Sequence, residues 1–300
     1  MSFCALKSVK AKTIRGEKMY KIIHKKILNP TVTQMEIEAP LVANKAKPGQ
    51  FIILRVNEDG ERIPLTIAGC NKEEGTVKII FQIVGGTTML LNQKEEGESI
   101  QDFVGPLGEA THTDGIKKVC IVGGGVGCAI AMPVAEEFKR LGADVTSIIG
   151  FRNKDLVILE EEFRACSNKF FIMTDDGSYG EHGNVTMPLK KMLTDGEQFD
   201  MIITIGPLIM MKFVTLTAKE FGVPVTVSMN PIMVDGTGMC GGCRLTLNQD
   251  GKKVTKFACV DGPDFNGYEV DFDEAMSRGR TYVEHEGKAR EEVCNLFKKA

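Results

Sequence analysis

Over the first third of the chain, apolar and polar residues alternate in short runs. Residues 20–23, 34–38, 51–54 and 77–81 read as strands, because a period of two puts every second side chain on one face. Turn residues separate them: Asn29-Pro30, Lys47-Pro48-Gly49, Glu58-Asp59-Gly60 and Glu74-Gly75. Many short strands at fairly even spacing predict a small antiparallel β-barrel. From Ile116 the pattern changes. Apolar runs at 119–122, 145–149, 170–173, 201–205 and 225–227 alternate with helical stretches, such as 211–221 ahead of Gly222. That alternation predicts an α/β parallel sheet with crossover helices. A third texture begins near Asn230. It is glycine-rich around three cysteines, and two strand-like runs, 244–248 and 254–258, then flank the hairpin signal Gln249-Asp250-Gly251. The charged stretch from Asp271 reads as helical towards Lys299.

The textures divide the chain into an N-terminal extension (1–18), a barrel domain (19–113), an α/β domain (114–228) and a C-terminal module with a helical tail (229–300). Three hundred residues, 43% of them hydrophobic, suffice for two cores and a smaller module. Residues 1–18 are basic, with Glu17 their only acid. They read as an upstream extension rather than a targeting segment, because no amphipathic, serine-rich stretch accompanies the charge. A formal net charge of −3 gives no sign of nucleic-acid binding. No apolar run reaches the length of a membrane span. Nine irregularly spaced cysteines argue against a secreted disulfide framework. Together these features predict a soluble protein of a reducing compartment, the cytoplasm.

Candidate chemistry is concentrated in three places. Met239-Cys240-Gly241-Gly242-Cys243 contains a Cys-x2-Cys pair, Cys259 follows after 15 residues, and Asp235 lies five residues before Cys240. Thiolates suit an iron–sulfur cluster, which takes four protein ligands, and Asp235 is the nearest residue to supply the fourth. Zinc accepts a similar set. The density of Gly236, Gly238, Gly241 and Gly242 favours the cluster, since such a loop can turn backbone amides towards cluster sulfurs. The second place is Gly123-Gly124-Gly125-Val126-Gly127, which follows an apolar strand and opens a helix, the arrangement that offers amides and a dipole end to a phosphate. Cys128 stands where a third motif glycine is expected, and Gly150-Phe151-Arg152 carries no acidic ribose reader. The third is Arg62-Ile63-Pro64-Leu65-Thr66. In a strand, Arg62, Pro64 and Thr66 share a face, so a guanidinium can meet a pyrophosphate while a hydroxyl meets a polar ring edge. Val84-Gly85-Gly86-Thr87-Thr88 follows another strand and can cradle phosphate.

Taken in order, Arg-x-Pro-Leu-Thr, Gly-Pro-Leu-Gly at 105–108, Gly-Gly-Gly-Val-Gly and the cysteine loop resemble the ferredoxin–NADP reductase-like superfamily. The resemblance covers roughly residues 19–285. It is closest to the branch with a C-terminal [2Fe-2S] module, which includes the electron-transfer subunits of class B dihydroorotate dehydrogenase and the small subunits of electron-bifurcating NADH-dependent ferredoxin:NADP⁺ oxidoreductases. The former look like Cys-x4-Cys-x2-Cys…Cys. Asp235 at the first of those positions, and Cys259-Val260-Asp261-Gly262-Pro263-Asp264-Phe265, resemble the latter. The resemblance implies FAD, NAD(H) and a [2Fe-2S] cluster. It implies that Arg62 holds the FAD pyrophosphate, that Thr66 is the catalytic contact near the reactive flavin nitrogen with Pro64 and Leu65 beside it, and that Gly85, Gly86 and Thr87 line the FAD phosphates. Gly123, Gly124, Gly125 and Gly127 receive the NAD(H) pyrophosphate, with Asp175, Asp176, Gly206 and Pro207 near the nicotinamide end. Asp235, Cys240, Cys243 and Cys259 bind the metal. A larger subunit with its own flavin, clusters and NADP(H) site is the implied partner, with ferredoxin reached through it. Ile205-Gly206-Pro207 stands where relatives have Cys-Gly-Pro, so no cysteine faces the nicotinamide there. Two other readings remain from the residues: the dihydroorotate dehydrogenase partner subunit, and a zinc-stabilised flavodomain.

Overall fold

A computed structural model describes residues 20–281, 283–288 and 291; the expectation for residues 1–18 lies outside them. The alternating runs form a seven-stranded antiparallel sheet of β1 (Tyr20–Asn29), β2 (Val32–Glu38), β3 (Phe51–Arg55), β4 (Arg62–Asn71), β5 (Thr76–Gln82), β6 (Ser99–Ile100) and β7 (Asp102–Leu107), with the short helices α1 (Pro40–Ala43) and α2 (Gly86–Gln93) in its connections. The order is β6-β1-β2-β5-β4-β3-β7. The two edge strands, β6 and β7, are separated by Gln101 alone, so the sheet must curl until its edges meet. The inward residues Ile22, Met35, Ile37, Ile52, Leu54, Ile79 and Phe81 are almost completely buried inside that curl.

The second sheet is built from β8 (Lys118–Gly124), β9 (Asp144–Phe151), β10 (Lys169–Thr174), β11 (Glu181–His182), β12 (Met201–Ile205) and β13 (Val225–Ser228), all parallel, with α3 (Gly127–Arg140), α4 (Glu160–Cys166), α5 (Thr186–Thr194) and α6 (Leu208–Glu220) as crossovers. Its order, β11-β10-β9-β8-β12-β13, reverses direction between β8 and β12. At such a switch point the crossovers leave on opposite faces and open a crevice beyond the strand ends.

In the C-terminal region, β14 (Arg244–Gln249) and β15 (Lys252–Phe257) form the expected hairpin. Asp250 and Gly251 both take positive φ in its turn, as a type I′ hairpin requires. The chain then returns as β16 (Asp264–Asn266), which pairs antiparallel with β13 and extends the nucleotide-type sheet, before α7 (Phe272–Arg278). The division expected at 228/229 is therefore not a clean one, since residues 264–266 belong to the preceding sheet. One apolar cluster unites all three parts: Phe51 and Ile53 of the barrel, Val225 and Val227 of the sheet, and Leu245, Leu247 and Phe265 of the module. Among the described residues no helix is long and apolar enough to cross a membrane.

Candidate functional site

The crevice at the switch point is a cleft of about 770 Å³, within the range of small-molecule sites. The loop from β8 into α3 forms its floor, and Gly124, Gly125 and Gly127 line it. Gly125 has φ +56° with nothing near a virtual Cβ, so its face is open to a ligand. Gly127 serves a different purpose. A Cβ there would lie 2.5 Å from the Ile205 carbonyl oxygen and 2.8 Å from Gly206 Cα, so only glycine lets α3 close on the end of β12. The close helix–strand packing expected of a third motif glycine is thus met by Gly127, and Cys128 is a buried core residue whose thiol burial pushes up in pKa. Gly123 packs on that thiol, a virtual Cβ lying 2.9 Å from Cys128 Sγ. Met210 lies across the floor, its sulfur 2.3 Å from a virtual Cβ on Gly124.

The residues expected at the nicotinamide end are not all brought together. Asp175 follows β10 and Gly206-Pro207 follow β12, on opposite sides of β8. All three line the cleft, Asp175 on one side of the glycine loop and Gly206-Pro207 on the other. Asp176 does not line the cleft. Its Oδ1 accepts the Ser178 amide at 2.9 Å, and the Ser178 hydroxyl and amide hold its carboxyl below the usual range, as in a turn. The barrel also contributes Asn29, Thr31 and Gln82 to the cleft wall, which no local sequence signal announces.

On the barrel, β4 pairs with β3 so that Thr66 lies opposite Phe51 and Arg62 opposite Arg55. The β3 residues Phe51 to Leu54 are buried, whereas Arg62 is exposed and residues 63–66 are half-buried. Asp102 Oδ2 accepts Arg55 Nε at 2.6 Å and lies 4.0 Å from Arg62 Nη2. Arg55 thus takes the nearer share of that carboxylate and Arg62 keeps donors to spare. The amides of Val84 and Gly85 donate to Thr88 Oγ1, both at 3.0 Å, so they do not face outward as a phosphate cradle. The first-turn amides of α2, from Gly86 and Thr87, have no intrahelical acceptor. An exposed guanidinium, a helix N-terminus and a half-buried strand fit a flavin dinucleotide. Arg62→Ala is expected to weaken FAD retention about tenfold, read by flavin fluorescence on dilution, with little change in melting temperature.

In the cysteine loop, Cys243 and Cys259 are buried with their sulfurs 3.2 Å apart, and Cys240 is exposed. Asp235 Oδ2 accepts the Cys240 amide at 2.8 Å and Oδ1 accepts the Thr237 amide at 2.9 Å. These amides hold the Asp235 carboxyl below the usual range, so it is charged. Burial, then the Cys243 thiol, then the Asp235 charge push Cys259 up to about 12. A cation is needed to offset that cost when the thiol ionises. The four groups therefore stand in two neighbouring pairs, Asp235 with Cys240 and Cys243 with Cys259. Among the described residues no three such side chains converge on one point for a single ion. The donor set, three thiols and a carboxylate in one loop, fits a two-iron cluster, which takes two protein ligands per iron. The Gly242 amide points at Cys240 Sγ at 3.5 Å, the kind of contact that tunes a cluster. Gly236 has φ +74°, and a Cβ there would lie 2.7 Å from Leu107 Cδ1, so the loop is pressed against the barrel. Asp235→Cys is expected to retain a cluster and lower its potential, because a softer, more electron-donating thiolate replaces a carboxylate. Redox titration followed by EPR checks this, and an unchanged potential and spectrum would remove Asp235 from the ligand set.

Residues 230–271 match the model of the iron–sulfur cluster binding domain of dihydroorotate dehydrogenase B. The chain is 46% identical over 271 residues to a homologue of the electron-transfer subunit of dihydroorotate dehydrogenase B (NAD(+)) from Thermotoga maritima, covering 90% of this chain and 94% of that one. The chain belongs to this family of electron-transfer subunits. It is 49% identical over 283 residues to an uncharacterized protein of Clostridium beijerinckii, covering 92% of this chain and 94% of that one. Its fold superimposes with a TM-score of 0.85 on a chain of the NADH-dependent reduced ferredoxin–NADP oxidoreductase solved in a study of flavin-based electron bifurcation. That pair is 41% identical and covers 94% of this chain and 100% of the other. Phthalate dioxygenase reductase, at 16% identity and a TM-score of 0.57, shares the fold alone, covering 80% of this chain and 76% of its own. The architecture is therefore ferredoxin reductase-like with a C-terminal iron–sulfur domain, and the family is one of oxidoreductases.

Proposed function

We propose that this chain is the NAD(H)-oxidising or -reducing subunit of an NADH-dependent ferredoxin:NADP⁺ oxidoreductase, exchanging electrons with a larger partner through FAD and a [2Fe-2S] cluster. The observation that carries the reading is the pairing of Asp235 with Cys240 and of Cys243 with Cys259 in a loop pressed against the barrel at Leu107. FAD, when bound, supplies the conversion between a two-electron hydride and single electrons. The chain's own residues do the rest. Arg62 and the start of α2 hold the flavin's phosphates, and Thr66 presents its hydroxyl at the ring. Gly124, Gly125 and Gly127 hold the nicotinamide dinucleotide over the switch point, with Asp175 at one end of it and Gly206-Pro207 at the other. The buried pair Cys243 and Cys259 keeps water from one side of the cluster, while exposed Cys240 marks the side from which a partner is reached. The larger subunit carries its own flavin, clusters and NADP(H) site, ferredoxin is reached through it, and the complex works in the cytoplasm.

The test is the visible spectrum of the anaerobically purified protein with and without NADH. Flavin and cluster bands, both bleached by NADH, are expected; zinc in place of iron and sulfide would sink the reading. With the partner bound, NADP⁺ and reduced ferredoxin are the expected substrates. Activity with orotate instead would make the chain a dihydroorotate dehydrogenase subunit, like the proteins whose iron–sulfur domain residues 230–271 match.

A further inference from the structure

Asp264 is a buried acid with no part in the chemistry described above. It opens β16 and pairs with Ser228 at the end of β13. Its Oδ2 accepts the Thr111 hydroxyl at 2.7 Å, from the linker between barrel and sheet. Ser228 stands directly across the strand pair from it, so the hydroxyl and the carboxyl are neighbours on one face of the sheet. Its Oδ1 is enclosed and has no partner among the described residues. No charged side chain offsets it: burial raises its pKa, and only the two hydroxyls act in the other direction. The titratable groups on the neighbouring segments face elsewhere. Glu109 and His112 are exposed, Asp261 is taken up by Lys256 and the Phe257 amide, and β13 carries none.

An uncharged amide can hold the same two hydroxyls without the cost of burying a carboxylate, so a purely structural role does not explain an acid here. Its position does. Ser228 stands in the cleft wall together with Gly206 and Pro207. On the other side, a Cβ on Gly108 would lie 2.8 Å from the Phe51 ring and 3.1 Å from Pro263 Cδ, which places residue 263 beside the strand that faces Thr66. Asp264 thus lies between the nucleotide cleft and the flavin-type strand.

We propose that Asp264 is the proton-holding group of this cleft, exchanging its proton through the Ser228 hydroxyl. The proposal rests on the electron-transfer function above. Two electrons delivered as a hydride bring one proton with them. When those electrons leave singly to the cluster at Asp235, Cys240, Cys243 and Cys259, the proton stays behind and must also leave. The Asp264 carboxylate takes it up: an O–H bond forms on Asp264 as Ser228 gives up one proton and receives another, and the proton later returns through the same hydroxyl to water in the cleft that Ser228 lines. With electrons flowing the other way, the same group supplies the proton. The cluster takes one electron at a time and hands each to the partner's one-electron acceptor, so two such transfers account for both electrons of the hydride. A buried carboxyl whose pKa is raised by its surroundings gives up and takes back a proton more readily than an exposed one, as both duties require.

Asp264→Asn in the flavin- and cluster-loaded protein tests this. Anaerobic bleaching by NADH, a hydride step that needs no separate proton, is expected to change less than about twofold. Reoxidation by a one-electron acceptor is expected to slow about 100-fold, the low end for a lost acid–base group, and to lose its pH dependence. A carboxylic-acid band in the reduced-minus-oxidised infrared difference spectrum is expected in the parent protein and absent from the variant, a readout independent of turnover. Unchanged reoxidation, equal slowing of both half-reactions, or no such band in the parent overturns the proposal. If Asp264→Asn does not retain flavin, Thr111→Val carries the test, because it removes the hydroxyl bonded to that carboxyl and lies outside the cleft: the carboxylic-acid band is expected to shift, and an unmoved band overturns the proposal. A parent protein that NADH does not bleach refutes the electron-transfer function instead, and does so before any variant is made.

Discussion

Cys259→Ala is expected to abolish cluster assembly while leaving the flavin reducible by NADH. Cys259 sits 3.2 Å from Cys243 in a buried pair, with the Asp235 charge close enough to raise its pKa, so no other thiol in the loop can take its place. Outer-shell changes at metal sites cost about 10–100-fold, and loss of a buried ligand should exceed that range. Iron and sulfide content should fall to background, and delivery of electrons to the partner should drop on the order of 100-fold or more. Bleaching of the flavin by NADH should persist, because the barrel face and the cleft are built from residues 20–230. If iron remained at two per chain in this variant, Cys259 would not be a ligand.

Gly127→Val should be the most damaging single change in the cleft. The new side chain would meet Ile205 and Gly206 backbone, which is fixed by β8–β12 pairing and cannot yield as a flexible side chain does. Overpacking of that kind costs about 3 kcal/mol or more, and the urea midpoint should fall accordingly. Gly125→Ala is the contrasting control. It has open space and φ +56°, so its cost is only the left-handed conformation, about 1–2 kcal/mol. Equal losses in the two variants would mean that the close approach of α3 to β12 does not decide the need for Gly127.

The cysteine loop was the most legible part of the site, because its candidate ligands lie within 25 residues of one another and its glycines are local requirements of the turn. The parallel strands were equally legible, since a strand buried on both faces is written as an unbroken apolar run, as in residues 119–122. The nicotinamide assignments fared less well. Asp175 and Asp176 look alike in sequence, yet one reaches the cleft and the other closes a turn onto Ser178. Their distance from Gly206 depends on strand order, and strand order is a property of the assembled sheet.

Local pattern alone was enough to determine the three textures, the strand and helix types, the hairpin at Asp250-Gly251 and the presence of an iron–sulfur module. These follow from side-chain period, backbone preference and ligand spacing, which act over a few residues. Only the tertiary structure decided that β16 joins the second sheet, that Asn29, Thr31 and Gln82 wall the cleft, and that Thr111, Ser228 and Asp264 meet at one buried carboxyl. Thr111 and Asp264 are 153 residues apart. Nothing in the neighbourhood of either marks the other, because the burial that brings them together exists only once the barrel, the sheet and the returning strand have packed around a common apolar core.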